Sequence, residues 1–257
     1  MTEKIAILSG KGGVGKTFTA LNLAAALSYF NKDVILVDAN ITTPNVGVHL
    51  GAPNVPITLH DVLKGKSHIT EAVYSHKSGI KVVPGSIAYK SLNGIKLSNL
   101  KKSLYALEGL TDFIIVDGAP GLTSENIAIL ESVNQVFLVT NPELPALTDA
   151  LKTTKMIESY GKRVRGIILT KTGKNNDVSA ENIETLLGRK IIAIIPEDNK
   201  ARESLVRKGI LVDLFPKNKI AISYKKLAAD LLNHEYNEEP EKEDFFSRIF
   251  GAFKRKE

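Results

Sequence analysis

The sequence predicts an α/β fold: a single domain with a mostly parallel, doubly wound sheet and helices on both faces, followed by a short amphipathic C-terminal helix. Three observations predict it. Short runs rich in β-branched residues alternate with helical patterns along the chain, as strand–helix–strand units do. Those runs are apolar at nearly every position, which is how strands covered on both faces read. The first run, Ile5-Ala6-Ile7-Leu8, passes through the glycine-rich stretch Gly10-Lys11-Gly12-Gly13-Val14-Gly15-Lys16-Thr17 into a helical pattern over 19–27.

Taken in order, core strands are expected over 5–8, 34–37, 81–83, 113–116, 136–140, 166–170 and 191–195. Helices are expected over 16–30, 59–63, 98–107, 124–130, 144–160, 180–187, 201–208 and 220–233. No internal repeat is present. In such sheets ligands bind beyond the carboxyl ends of the strands. The loops after Leu8, Val37, Val116, Thr140, Thr170 and Ile195 therefore form the functional edge.

Composition sets outer bounds. The chain has 257 residues, 43% hydrophobic and 24% charged, enough for one large α/β domain with a substantial core. It has no cysteine, which excludes disulfides, thiolate metal sites and cysteine-held iron–sulfur clusters. No apolar stretch approaches the roughly 20 residues of a membrane span, and the N-terminus has no signal-peptide pattern. The expected compartment is the cytoplasm. A net charge of +6 favours anionic partners such as nucleotide, nucleic acid or anionic lipid without choosing among them.

Gly10–Thr17 fits GxxxxGK[ST], and it has the strand before and the helix after that a phosphate-binding P-loop requires. Its glycines let successive backbone N–H groups turn inward around phosphates without Cβ clashes. The helix N-terminus adds partial positive charge, Lys16 neutralises phosphate oxygens, and the Thr17 hydroxyl can sit on Mg²⁺. Gly10, Lys11, Gly12, Gly13, Val14, Gly15, Lys16, Thr17 and the following Phe18 are the candidate nucleotide-binding residues. Two further loops carry acids where a nucleotide-bound Mg²⁺ would want them. Asp38 ends Leu36-Val37-Asp38, and Asp117 ends Ile114-Ile115-Val116-Asp117. An Asp ending an apolar strand can hold Mg²⁺ through a water, although either could instead cap a turn or helix.

Lys11 in the P-loop, Asp38, Asp117-Gly-Ala-Pro-Gly and Thr140-Asn141-Pro142-Glu143 together resemble the MinD/ParA family of deviant-Walker-A ATPases. The similarity extends through Leu59-His60-Asp61-Val62-Leu63, Pro84-Gly85 and Ile195-Pro196-Glu197-Asp198, so it spans nearly the whole chain, and its pattern is nearest archaeal MinD-like proteins. The resemblance implies a P-loop NTPase fold, ATP and Mg²⁺ as ligands, and an ATP-bound homodimer. In such a dimer Lys11 reaches the partner subunit's phosphates. Lys11, Lys16, Asp38, Asn40 and Asp117 are the implied catalytic set, and Thr17, Asp38 and Asp117 the implied metal ligands.

Two positions depart from the family pattern. Asn40 stands where the family usually has an acidic residue that positions the attacking water. An amide accepts a hydrogen bond but cannot act as a base, so hydrolysis is expected to be slow, on the order of 10–100-fold below a sibling with Asp. Thr170 stands where the family commonly has an Asn that reads adenine. A hydroxyl makes fewer directed bonds, so base selectivity is expected to rest more on Pro196, Glu197 and Asp198.

Composition changes near Asn233. Residues 1–233 read as the ATPase domain, 234–244 as a flexible acidic linker, and 245–257 as a tethered amphipathic helix. There Phe245, Phe246, Ile249, Phe250 and Phe253 share one broad face, and Arg248 and Lys254 lie largely opposite. That pattern suits a membrane interface and is similar to the C-terminal membrane-targeting helix of MinD proteins; docking onto protein is the blander alternative. Each buried Phe or Ile contributes roughly 1.5–3 kcal/mol, and each basic residue about 1 kcal/mol near an anionic leaflet. Folding at the surface offsets several kcal/mol of that. One tail then binds weakly, and two on an ATP dimer gain avidity.

The leading expectation is a nucleotide-switched protein on the inner face of the cell membrane that positions division or polar machinery through an unknown protein partner or activator. The alternative is a ParA-type segregation ATPase that binds DNA nonspecifically through Lys152, Lys155, Lys162, Arg163 and Arg165. The phenylalanine face has no use in that role. A cluster-assembly enzyme of the superfamily is disfavoured by the lack of cysteine, and Asn40 leaves open a scaffold that binds ATP without hydrolysing it.

Overall fold

A computed structural model describes residues 2–173 and 177–238. Its sheet of eight strands has the spatial order β3-β4-β2-β5-β1-β6-β7-β8. The strands are β1 Glu3–Ser9, β2 Val34–Asp38, β3 Tyr74–Ser75, β4 Lys81–Val83, β5 Phe113–Pro120, β6 Gln135–Thr140, β7 Val164–Thr172 and β8 Ile191–Pro196. All neighbours pair in parallel except β3, which runs antiparallel to β4. The helices are α1 Lys16–Tyr29, α2 Val46–His49, α3 Leu59–Leu63, α4 Asn99–Tyr105, α5 Ser124–Leu130, α6 Leu144–Ser159, α7 Ala180–Leu187, α8 Asn199–Val206, α9 Leu211–Leu214 and α10 Lys219–Leu232. The predicted α/β doubly wound fold is the observed one.

Alternation along each strand explains the continuous apolar runs. Ile5 and Ile7 of β1 enter the core beneath α1, α9 and α10, while Ala6 and Leu8 enter the core beneath α3 to α7. Helix α1 is buried almost all round, with Leu21, Leu23 and Leu27 between the sheet and α10. Each such leucine contributes roughly 1.5–3 kcal/mol.

Chain order and spatial order diverge where it matters. Strand β5 inserts between β1 and β2, so the loops leaving β1, β2 and β5 lie side by side at one edge. The register is direct, with Asp38 opposite Asp117 and Ile7 opposite Asp117 on the other flank.

Among the strands and α-helices, three short elements went unpredicted: β3, α2 and α9. They span two to four residues, too few for a periodicity to register. Helix α8 starts at Asn199, two residues before the sequence expectation, because the Asp198 side chain accepts from the Lys200 N–H at 2.8 Å and caps it.

The segment expected to leave the domain as a linker at 234 stays against it through Glu238. The His234 ring meets Phe30 edge-on at 6.1 Å, and Tyr236 meets Phe30 at 5.6 Å and Tyr29 at 6.5 Å. Lys225, 1% exposed, donates to the Pro216 carbonyl at 3.0 Å and pairs with Glu238 at 3.1 Å. Its ammonium also lies 4.2 Å from the Tyr29 ring centroid. A buried lysine needs such partners, and only the three-dimensional neighbourhood supplies them. The expected tail helix, with Phe245, Phe246, Arg248, Ile249, Phe250, Phe253 and Lys254, lies outside the described residues. Among the described residues no helix is long and apolar enough to cross a membrane.

Candidate functional site

The P-loop leaves β1 and turns into α1 through two left-handed glycines, Gly13 at φ 80° and Gly15 at φ 91°. Gly10 serves a different need. A Cβ there would lie 2.3–2.6 Å from backbone atoms of Asp149 and Ala150 in α6, so this glycine lets the loop start flush against that helix. Gly15 occupies the N-cap of α1 without a side-chain bond, and no acidic residue stands in the first turn. Nothing on the helix itself competes for its free N–H groups, which leaves them to an anion.

Beneath the loop sit charges that burial would ordinarily forbid. Lys16 Nζ is 2.5 Å from Asp117 Oδ1, and the Thr17 hydroxyl donates to Asp117 Oδ2 at 2.6 Å. Lys16 is 7% exposed, and both Asp38 and Asp117 are fully buried. Asp38 Oδ2 accepts from the Asn45 and Val46 N–H groups, both at 2.9 Å, and so caps α2. Its Oδ1 is buried with no hydrogen-bond partner among the described residues. Desolvation, with the Asp117 charge beside it, pushes the Asp38 carboxyl up to about 7 against the α2 N–H bond and Lys16. Two adjacent carboxylates, an unpaired carboxylate oxygen and a hydroxyl form a hard oxygen set suited to Mg²⁺.

A cleft of about 2490 Å³ opens above these groups. It runs from the P-loop, where Lys11, Lys16, Thr17 and Phe18 face it, to Pro196 at the end of β8 and Glu197 and Asp198 just beyond it. Val14 instead packs into the core at 2% exposure. Lys11 is 42% exposed and makes a long 3.7 Å ion pair with the half-exposed Glu143. Phe18 meets the Tyr224 ring edge-on at 6.2 Å, and Tyr224 shares a 2.9 Å hydroxyl bond with Thr19. These contacts tie α10 to α1 at the cleft wall.

Asn40 and Thr170 both line the cleft, and both have committed side chains. The Asn40 amide donates to the Thr43 carbonyl at 2.6 Å, and its oxygen accepts from the Thr43 hydroxyl at 3.1 Å. That arrangement closes the 40–43 turn. The Thr170 hydroxyl points at the Val14 carbonyl, 2.6 Å away, and the Thr140 carbonyl, 3.0 Å away. It holds the P-loop backbone to the sheet, and its one proton is directed at main chain. Asp198 is likewise engaged, with Lys200, Asn218 and Lys219. Burial pushes its carboxyl up, and these donors outweigh burial and hold it below the usual range.

Three residues that sequence reading missed, Glu125, Lys171 and His49, belong to this edge. Glu125, 8% exposed, accepts from the Thr42 N–H at 3.1 Å and hydroxyl at 2.7 Å, pinning the loop after β2 to α5. Lys171 donates to the Gly13 carbonyl at 2.7 Å from a left-handed backbone, φ 54°. His49, at the end of α2, faces the cleft. No motif marks these positions; only the folding back of the loop after β2 brings His49, Thr42 and Glu125 here. Glu143 was quoted in its motif, but nothing in the sequence paired it with Lys11.

The chain is similar to known proteins along nearly its whole length. The profile described as ParA, NUBPL iron-transfer P-loop NTPase, matches residues 1–231. An uncharacterized ATP-binding protein of Methanocaldococcus jannaschii is 33% identical over 260 residues, covering 100% of this chain and 98% of that protein. The crystal structure of the Pyrococcus furiosus cell division ATPase MinD superposes with a TM-score of 0.86 at 31% identity, covering 91% of this chain and 99% of that one. Pyrococcus horikoshii septum site-determining protein MinD, solved with Mg-ADP, superposes with a TM-score of 0.85 at 31% identity, covering 97% and 98%.

Proposed function

Because the chain belongs to the ParA family of P-loop NTPases, we propose that it is an ATP-driven switch whose two states are a monomer and an ATP-bound homodimer. The dimer holds an anionic membrane surface through residues 245–257, recruits a protein partner, and lets go after slow hydrolysis. Similarity to the Pyrococcus cell division ATPase MinD supports a role in placing division or polar machinery.

The observation that carries this reading is Lys11. It stands at the lip of the phosphate cleft, exposed, and among the described residues its ammonium is held only by a 3.7 Å pair with an exposed carboxylate. Exposed pairs of that kind stabilise by roughly 0–1 kcal/mol. A second copy bringing ATP phosphates within reach offers Lys11 a far stronger partner. ATP then becomes part of the interface, and its loss loosens the dimer.

The residues on the floor fit Mg²⁺, and Thr17, Asp38 and Asp117 would hold it. Bound there, the ion neutralises phosphate oxygens as charge develops. Lys16 binds phosphate oxygens, the N–H groups from Gly12 to Thr17 bind the rest, and the cleft beyond β8 takes the adenosine. Asn40, with no charge and an amide closed onto Thr43, makes turnover slow. Asn40→Asp is expected to raise phosphate release on the order of 10–100-fold.

Sedimentation with Mg-ATP and Mg-ADP, with and without anionic vesicles, tests the switch. The full chain is expected to dimerise and float with vesicles only in ATP, whereas a chain ending at Glu238 dimerises without floating. A monomer in every condition overturns the proposal. The DNA reading has less behind it. Lys152 and Lys155 pair with Asp149 and Glu158, Lys162 donates to the Val133 carbonyl, and Arg165 donates to Gln135.

A further inference from the structure

Strand β7 carries one residue more than its neighbour can match. Leu169 pairs with Ile194 and Thr172 with Pro196, so three steps along β7 face two along β8. The surplus is a bulge at Thr170 and Lys171, where Lys171 takes a left-handed backbone at φ 54°. A residue with a Cβ is strained there, and left-handed bulge positions ordinarily take glycine. Strained backbone of this kind collects at functional sites, and bulges re-aim side chains beside them. Here the side chain re-aimed is a cation. Lys171, itself exposed, lines the phosphate cleft and donates from Nζ to the Gly13 carbonyl at 2.7 Å. Its neighbour Thr170 donates to the next carbonyl, that of Val14, at 2.6 Å. Two consecutive residues of the bulge thus hold two consecutive carbonyls of the P-loop.

We infer that Lys171 is a positioning residue for the phosphate loop, fixing the orientation of the Gly13–Val14 peptide before a nucleotide arrives. This rests on the nucleotide-binding reading above. Among the described residues every peptide bond is trans, and in a trans peptide the carbonyl and the following N–H point opposite ways. Holding the Gly13 and Val14 oxygens at β7 therefore turns the Val14 and Gly15 N–H groups away from β7. The loop has little else to fix it there. At Gly12 and at Gly13 a Cβ would meet nothing within 4 Å, and glycine adopts either sign of φ with ease. A flipped Gly13–Val14 peptide presents an oxygen where an anion requires an N–H donor. The buried Thr170 hydroxyl prevents the flip one peptide further on, and Lys171 prevents it here. An ammonium suits the task, because a charged donor bonds a carbonyl more strongly than a neutral one. The loop then meets the phosphates of a nucleoside di- or triphosphate already ordered, which raises affinity without a new contact to the ligand.

The test measures equilibrium Mg-ADP binding, which needs neither hydrolysis nor a dimer, for wild type, Lys171→Met and Lys171→Gly. Both variants are expected to bind Mg-ADP about 10-fold more weakly, the scale of one lost hydrogen bond to a charged group. Without nucleotide, Lys171→Gly is expected to melt no lower than wild type, since glycine meets the left-handed backbone without strain. Its loss of affinity is then not a loss of fold. The second readout is the carbonyl ¹³C resonance of Gly13, which lies downfield while its oxygen accepts from the ammonium. Lys171→Met is expected to move it upfield, both without nucleotide and with Mg-ADP bound. Mg-ADP affinity within about twofold of wild type in both variants overturns the inference, as does a Gly13 resonance unmoved by Lys171→Met. A shift that is present without nucleotide and vanishes with Mg-ADP also overturns it, because Lys171 would then leave the loop for the phosphates. A wild-type chain that binds neither Mg-ADP nor Mg-ATP would instead overturn the nucleotide reading on which the inference stands.

Discussion

Lys16 Nζ and Asp117 Oδ1 lie 2.5 Å apart in a site where the lysine is 7% exposed and the aspartate not at all. This pair compensates two charges that burial takes largely out of water. Removing one partner strands the other. We expect Lys16→Ala to destabilise the nucleotide-free fold by about 3–5 kcal/mol, the usual cost of an orphaned buried charge. The cost includes the renewed repulsion between Asp117 and Asp38, which stand opposite in register. Adding Asp117→Asn to Lys16→Ala is expected to recover more than half of it. Urea melts of the four species in the cycle give the coupling directly; additive losses would mean the pair does not act as one.

Glycines of the P-loop are separable by what a methyl group would meet. At Gly10 a Cβ collides with α6 main chain at 2.3–2.6 Å, whereas at Gly12 nothing lies within 4 Å. Gly10→Ala is expected to lower stability by about 1–3 kcal/mol, as overpacking does. Gly12→Ala should leave the melting midpoint nearly unchanged and act only on nucleotide affinity, because its methyl group projects into the cleft. Thermal melts without nucleotide check both; equal losses would show that the loop does not rest on α6 as described.

Much of this arrangement was legible in the sequence for a definite reason. Strands buried on both faces give unmistakable apolar runs, and a phosphate loop needs glycines and a lysine at fixed spacing. Asp38 and Asp117 could be placed on one edge because each ends such a run. Pairings across loops were not legible. That Thr170 secures the P-loop to the sheet, that Asn40 closes on Thr43, and that His49 turns into the cleft all depend on loop conformations with no periodic signature. The contacts of residues 234–238 were not legible for the same reason, since an acidic, polar stretch reads as solvated until Lys225 and the Tyr29–Phe30 pair are seen beneath it.

That Lys225 contact makes a prediction about where the tail starts. A chain ending at Asn233 loses the Tyr236 ring and the Glu238 partner of Lys225, while one ending at Glu238 keeps them. The shorter chain is expected to be less stable by about 1–2 kcal/mol, the scale of a few aromatic contacts and one partly exposed ion pair. Lys225→Met in the longer chain should reproduce most of that difference. Indistinguishable melting of the two truncations would show that residues 234–238 contribute nothing to the domain.

His60 gives the fold a pH dependence whose sign can be worked out. The fully buried ring accepts from the Ser86 N–H at Nδ1, 3.0 Å, and donates from Nε2 to the Ile41 carbonyl, 3.0 Å. It thereby clamps the loop after β2 to the loop after β4. Desolvation, helped by Lys64 and opposed by the Ile41 carbonyl, holds its pKa below the ordinary histidine value. The unfolded chain then binds more protons below about pH 6.5, so this contribution is complete above that pH and is lost as pH falls through the window beneath it. Asp38, pushed up to about 7, titrates in the opposite sense, because the folded state holds the extra proton and stability declines as pH rises toward 7. The discriminating quantity is therefore the difference between wild type and His60→Gln. Between pH 7.5 and 5.5 the wild type is expected to lose more stability, or gain less, than the variant, with urea midpoints at each pH as the measure. Parallel pH profiles would show that His60 does not titrate with unfolding.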